Sequence, residues 1–263
     1  MNTEIIPRSS VIAMIAEVEA AQKEVSDAFA LLISAKKRLL VTLGEYHNSL
    51  WKGRLYDSVS EDNAKESLAH IQRNAWKSVV TRLQVREIVS VRKREELDRQ
   101  LNKGKLPILT AENVFAFIRQ LHDDMGSLLE DSAREVFDWL RPTSNWRQLK
   151  TNEKNRFGIS NKVILERGMD NTYDKSMPER VNYYWEKYYI ALDNVFHLLD
   201  GQGVSKYPGQ LVGAIREAGK KGECETPYFR CKWFRNRNLH IEMKRNDLVQ
   251  KLNQLAGSDK LRN

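Results

Sequence analysis

Arg235, Asn236, Asn238 and His240 stand close together in the segment 225–253, which reads ETPYFRCKWFRNRNLHIEMKRNDLVQKLN. A histidine among cations has its neutral form favoured, and a neutral imidazole suits a general base or a hydrogen-bonding group that responds to an anion. His240 is one of five histidines in the chain. The chemistry within reach of these residue types is contact with phosphate, or acid–base work with Arg235, Asn236 and His240 as the catalytic group. The competing reading, a surface histidine in a hairpin that only packs, stays open at this point.

The elements that would position this group are two runs, 228–234 and 239–244, flanking the polar turn of Arg235, Asn236, Arg237 and Asn238. Pairing Trp233 with Leu239, Cys231 with Ile241 and Phe229 with Met243 builds one coherent apolar face. A slip of one residue would set Lys232 against Ile241 and spoil it. The opposite face then pairs Lys232 with His240, Arg230 with Glu242 and Tyr228 with Lys244. Arg230, Lys232, Arg235, Arg237, Lys244 and Arg245 are the candidate phosphate contacts, around a polar centre of Asn236, Asn238 and His240.

Upstream, apolar residues at three-and-four spacing from Val11 to Leu43, behind Ser9 and Ser10, predict a long amphipathic helix. A loop with Trp51, Gly53 and Tyr56 follows. Asn63 is expected to cap a second long helix running to Leu101, closing a helical hairpin. Its Arg82, Arg86, Arg92, Lys93, Arg94 and Arg99 suggest a basic stripe, but Glu87, Glu95, Glu96 and Asp98 between them favour a solvated face. A third helix is expected from Thr110 to Leu140, stopping at Pro142. His122-Asp123-Asp124 within it lacks the further ligands a metal-dependent hydrolase needs. Residues 157–165 suggest a short strand. A helix from Glu179 to Leu199 carries Tyr183, Tyr184, Trp185, Tyr188 and Tyr189, a set that stacks on bases or, more commonly, packs into a core. Pro208 opens a short helix closed by Gly219, and a last helix is expected from Asp247. The fold class is therefore α+β, mainly α. A helical region, 1–142, precedes a C-terminal α+β domain, 143–263, that holds the hairpin 228–244.

Composition supports a folded chain with a polyanionic partner: 263 residues, 41% hydrophobic, 30% charged, net charge +8. The N-terminus lacks the basic-then-apolar pattern of a secretory signal, and no run is long enough to span a bilayer. Two cysteines, Cys224 and Cys231, without a His or Cys cluster fit a reducing, cytoplasmic setting and no zinc. No metal site, cofactor or membrane contact is expected.

The segment also resembles the C-terminal part of the bacterial and phage family catalogued as domain of unknown function 4942. The residues that carry this are Glu225-Thr226-Pro227-Tyr228-Phe229, Lys232-Trp233-Phe234, Asn236, Asn238-Leu239-His240, Arg245 and Asp247-Leu248-Val249 to Leu252-Asn253, with similar pieces at 157–165, 192–201 and 209–218. In that family the turn typically reads Asn-Gly-Asn before the histidine; here Arg237 replaces the Gly, which implies backbone strain or a different loop. The resemblance implies a prophage, plasmid or genomic-island setting, with some members joined to adenine-specific DNA methyltransferases. Arg235-Asn236-x-x-x-His240 is similar as well to the Arg-x4–6-His motif of HEPN ribonucleases, all-helical enzymes that cleave RNA without metal. The flanks here alternate as strands do. Three functions follow as expectations. The first is nucleic-acid binding in a phage-defence, anti-restriction or DNA-modification setting. The second is a metal-independent HEPN-like ribonuclease, a toxin or defence effector, using Arg235 and His240. The third is an inhibitor or antitoxin-like protein that binds a partner, or a second copy of itself, through its N-terminal helices.

Overall fold

The computed structural model describes residues 8–43, 59–141, 158–170 and 177–257. The expected loop with Trp51, Gly53 and Tyr56, the helix stop at Pro142, and Phe157 lie outside them. Helices dominate, with one four-stranded antiparallel sheet, so the protein is α+β and mainly α. Packing divides the chain into two compact units, one of residues 4–83 and 97–122, the other chiefly of residues 84–96 and those from 123 onward.

In the first of these, α1 (Arg8–Leu43) packs on α2 (Glu61–Arg82). Val11 and Ile15 of α1 and Ala75, Trp76, Val79 and Val80 of α2 are buried, which is the helical spacing read from the sequence. α1 begins at Arg8, so Ser9 and Ser10 lie inside its first turn rather than ahead of it. Ser60, not Asn63, caps α2: its Oγ accepts the Asn63 N–H at 3.1 Å, and Glu61 and Asp62 sit at the positive end of the helix. Trp76 donates its Nε1–H to the Pro107 carbonyl at 2.8 Å and meets Phe117 edge-on at 5.7 Å.

The expected second helix is three pieces: α2, the short α3 (Val85–Ile88) and α4 (Val91–Lys103). Gln84 turns left-handed between α2 and α3, with φ 51°, and Val89 is extended between α3 and α4. The second break is fixed from outside the segment. Glu135 accepts from the Val91 and Arg92 N–H groups at the start of α4, and Ser132 donates to the Ile88 carbonyl at 2.9 Å. The expected third helix likewise divides at Asp124 into α5 (Ala111–Asp123) and α6 (Met125–Leu140).

The other unit is built on the sheet. Its strands are β1 (Lys162–Leu165), β4 (Glu223–Glu225), β5 (Phe229–Trp233) and β6 (Leu239–Met243), in the order β1-β6-β5-β4. A separate pair, β2 (Met169–Asp170) and β3 (Arg180–Val181), lies between β1 and β4 in the chain. β3 occupies positions expected to be helical; α7 starts only at Glu186 and runs to Leu199. α8 (Gln210–Ala218) and α9 (Asn246–Gly257) follow. Phe229, Cys231, Trp233, Leu239, Ile241 and Met243 are all buried on one face of the sheet, in a core shared with Phe137, Leu140, Tyr189, Leu192, Phe196, Leu211 and Leu252. Trp233 completes this core without an orphan donor, because its Nε1–H bonds the Pro178 carbonyl at 2.8 Å.

Candidate functional site

The hairpin has the register that its side chains require: Phe229 with Met243, Arg230 with Glu242, Cys231 with Ile241, Lys232 with His240 and Trp233 with Leu239. β1 and β4 extend this pairing on both sides. The polar face thus carries two cross-strand rows. One runs Lys162, Glu242, Arg230, Glu225; the other runs Ile164, His240, Lys232, Glu223.

The two rows differ in how far their charges are already matched. In the first, Lys162 lies 3.7 Å from Glu242 and Arg230 lies 3.4 Å from Glu225. Lys244 also reaches Glu225, at 2.7 Å, and donates to the Thr226 carbonyl. These contacts, led by the Lys244 hydrogen bond, hold the Glu225 carboxyl below its usual range. Arg245 grips Asp247 through a two-pronged pair at 2.9 and 2.7 Å and adds Asp200 at 3.0 Å. That pair draws Asp247 down to about 2 and raises Arg245. Three of the six expected phosphate contacts are therefore engaged with carboxylates. Lys232, Arg235 and Arg237 have no ion pair among the described residues, and all three are exposed.

His240 is half-buried on β6, its ring 4.8 Å from that of Phe234 at 58°. Burial first, and then the Lys232 charge, lower its pKa from the ordinary 6.5, so the neutral imidazole is the form the site favours. The turn is a three-residue loop. The Phe234 carbonyl accepts the Arg237 N–H at 2.9 Å, and the Phe234 N–H donates to the Asn238 carbonyl at 3.2 Å. Arg237 occupies its left-handed position, with φ 69°, where a glycine is unstrained. An arginine there holds this loop shape at the cost of backbone strain. Asn236 is exposed, and its side-chain carbonyl accepts the Asn238 N–H at 3.1 Å, bracing the turn. Arg235 and His240 sit on strand and turn, not on a helix.

A cleft of about 820 Å³ opens beside the second row. Ile164, the cross-strand partner of His240, is part of its lining, with Arg167, Tyr184, Trp185, Tyr188 and the carboxylate residues Asp138 and Glu166. Trp139 stacks on Tyr188, with centroids 5.5 Å apart and planes 13° from parallel, and meets Tyr189 edge-on at 5.0 Å. Burial raises the Tyr188 hydroxyl. Lys187 pairs with Glu95, whose hydrogen bond raises the ammonium group. Tyr183 and Tyr184, 78% and 77% exposed, precede α7 instead of lying in it. The aromatic run is plain in the sequence; its division into buried Tyr189 and exposed Tyr183 and Tyr184 is not. The cleft is tied to the hairpin tip, since the Arg237 carbonyl accepts the Met169 N–H at 3.0 Å. The next residue toward the N-terminus, Gly168, is held by Tyr189, whose hydroxyl donates to the Gly168 carbonyl at 3.0 Å.

Among the described residues no three His, Cys, Asp or Glu side chains gather as metal ligands would, and no described helix is long and apolar enough to cross a membrane. No curated protein and no solved structure matches the chain. The family model described as Domain of unknown function (DUF4942) matches residues 68–261, a span that holds the hairpin, the cleft and the sheet, and the chain belongs to that family.

Proposed function

We propose that the protein binds single-stranded nucleic acid across the outer face of the sheet, in the mobile-element or phage-defence setting expected of its family. Lys232, Arg235 and Arg237 contact phosphate, His240 hydrogen-bonds a phosphate or sugar oxygen, and a base rests against Tyr184 and Trp185 in the cleft. The observation that carries this reading is the double role of Ile164, which lines the aromatic cleft and is also the strand neighbour of His240. Unmatched cations and a stacking surface therefore adjoin, the combination that single-strand binding uses. Asp138 and Glu166 in the cleft suit the amino edge of a base rather than a phosphate. The strand–turn–strand setting of Arg235 and His240 favours binding over RNA cleavage.

Fluorescence anisotropy with labelled single-stranded RNA and DNA tests this. Wild type should bind one or both, His240→Ala should bind more weakly, and Lys232→Glu with Arg235→Glu should abolish binding. Arg230→Glu should matter least, because Arg230 already faces Glu225. Equal losses from Arg230→Glu and Lys232→Glu, or no binding at low salt, would exclude this surface.

A further inference from the structure

Cys224 of β4 and Cys231 of β5 stand directly opposite each other in the antiparallel ladder, and both are free thiols. The ladder fixes this pair from both ends. On one side the Trp233 N–H donates to the Gly222 carbonyl at 2.8 Å, and on the other the Thr226 N–H donates to the Phe229 carbonyl at 2.7 Å. Both bonds lie two residues from the cysteines. Cys224 and Cys231 are therefore a hydrogen-bonded pair of the ladder, for which Cα atoms stand about 5.5 Å apart. That is the spacing at which disulfides are most often found, and cross-strand partners point to the same face of a sheet.

The two sulfurs are unequal in their setting. Cys231 lies on an inner strand and is fully buried, whereas β4 is the edge of the sheet and Cys224 is half-buried there, so an oxidant meets Cys224 first. The Cys231 hydrogen bond lowers the Cys224 pKa, and the same bond raises Cys231, ahead of burial and the Cys224 charge. The thiolate, which is the reactive form, therefore gathers on the accessible sulfur. Two of the causes that hold the proton on Cys231, the bond and the charge, end once Cys224 is no longer a thiolate. Cys231 is then free to act second.

We propose that Cys224 and Cys231 form a redox-modification site, at which hydrogen peroxide closes the pair to a reversible disulfide between β4 and β5. The Cys224 thiolate attacks one peroxide oxygen, the O–O bond breaks and hydroxide leaves; the sulfur is oxidised to a sulfenic acid and the peroxide is reduced. The Cys231 sulfur then attacks the Cys224 sulfur. The S–S bond forms, the S–O bond breaks, and the departing hydroxide takes the Cys231 proton as water. Two thiols and one peroxide thus become one disulfide and two waters. A thiol reductant restores the pair, and the edge position leaves the bond open to it. Closure pins β4, and with it Glu225, which holds Arg230 and Lys244. The site stands independently of nucleic-acid binding on the hairpin face.

Hydrogen peroxide added in small excess to the full chain at neutral pH, followed by N-ethylmaleimide, trypsin and mass spectrometry, tests this. Trypsin cuts after Lys221, Arg230 and Lys232, so the disulfide should leave peptides 222–230 and 231–232 joined until dithiothreitol separates them. Closure should run about threefold or more faster in the folded protein than in the urea-unfolded chain at the same pH, because folding sets the spacing and favours the Cys224 thiolate. Cys231→Ala should react more slowly and stop at a Cys224 sulfenic acid, which dimedone traps. Cys224→Ser, a change at the half-buried edge, serves if Cys231→Ala does not fold, and should leave Cys231 unoxidised. The proposal fails if the two peptides come apart without reductant, or if the disulfide joins two chains instead of one. It also fails if closure is no faster in the folded protein, or if Cys224→Ser loses its Cys231 thiol to peroxide as fast as wild type does.

Discussion

Lys232 and His240 are direct cross-strand partners on the polar face of the sheet, and burial first, then the lysine charge, lower the pKa of the imidazole. The His240 titration midpoint, followed by NMR, should therefore lie below the ordinary value. Lys232→Met should raise it part of the way back, since burial, the larger cause, remains. The sign for stability follows. A folded-state pKa below the unfolded one gives a contribution that is present above the ordinary histidine value and is lost as pH falls through the folded value. Urea melts from about pH 7 to 5 should show a smaller loss for His240→Gln than for wild type. A midpoint at or above the ordinary value would overturn this account.

Salt dependence measures how many cations face the ligand. Arg230, Lys244 and Arg245 are matched within the protein, which leaves Lys232, Arg235 and Arg237. The slope of log K against log salt for a single strand should then be about −2, not the value of about −4 expected from six phosphate contacts. Anisotropy titrations over a series of salt concentrations give the number directly.

Arg237 holds a left-handed backbone that costs a side-chain-bearing residue about 1 kcal/mol or more. Arg237→Gly should stabilise the protein by about 0.5–1 kcal/mol, the gain being trimmed by the greater freedom of glycine in the unfolded chain. Chemical denaturation reads the gain. The same variant should bind nucleic acid more weakly, so stability and affinity should move in opposite directions.

Cys224 and Cys231 are partners across β4 and β5 and both are free thiols. A hydrogen bond from Cys231 lowers the Cys224 thiol, while that same bond and burial push Cys231 well up. Iodoacetamide on the native protein should modify Cys224 alone, at a pH below that of an ordinary thiol. Cys231→Ala should shift the Cys224 reaction to higher pH. Modification of both residues at equal rates would contradict the arrangement.

The hairpin register was legible because period two and large apolar side chains leave one arrangement: Trp233, Cys231 and Phe229 must share a face with Leu239, Ile241 and Met243. The helix breaks were not, because the groups that fix the start of α4 come from Glu135 and Ser132, far along the chain. The candidate site was half legible for a similar reason. Cations can be read from the sequence, but their partners come from folding. Glu225 reaches Arg230 only because 223–225 forms a third strand, and Asp200 reaches Arg245 from the end of α7. The sequence places Asn236 beside Arg235 and His240 but does not show that its side-chain carbonyl accepts the Asn238 N–H within the turn.

Gly168 has room for no side chain: a Cβ there would lie 2.7 Å from the Tyr189 hydroxyl and 3.0 Å from Leu239. The wall of the aromatic cleft is thereby anchored to a fully buried tyrosine and to the strand that carries His240. On the binding mode proposed above, this part of the wall should not need to reorder when a base docks, so little ordering entropy should be lost there. Association should follow simple second-order kinetics, with a rate that rises linearly with concentration and no slow unimolecular step behind it.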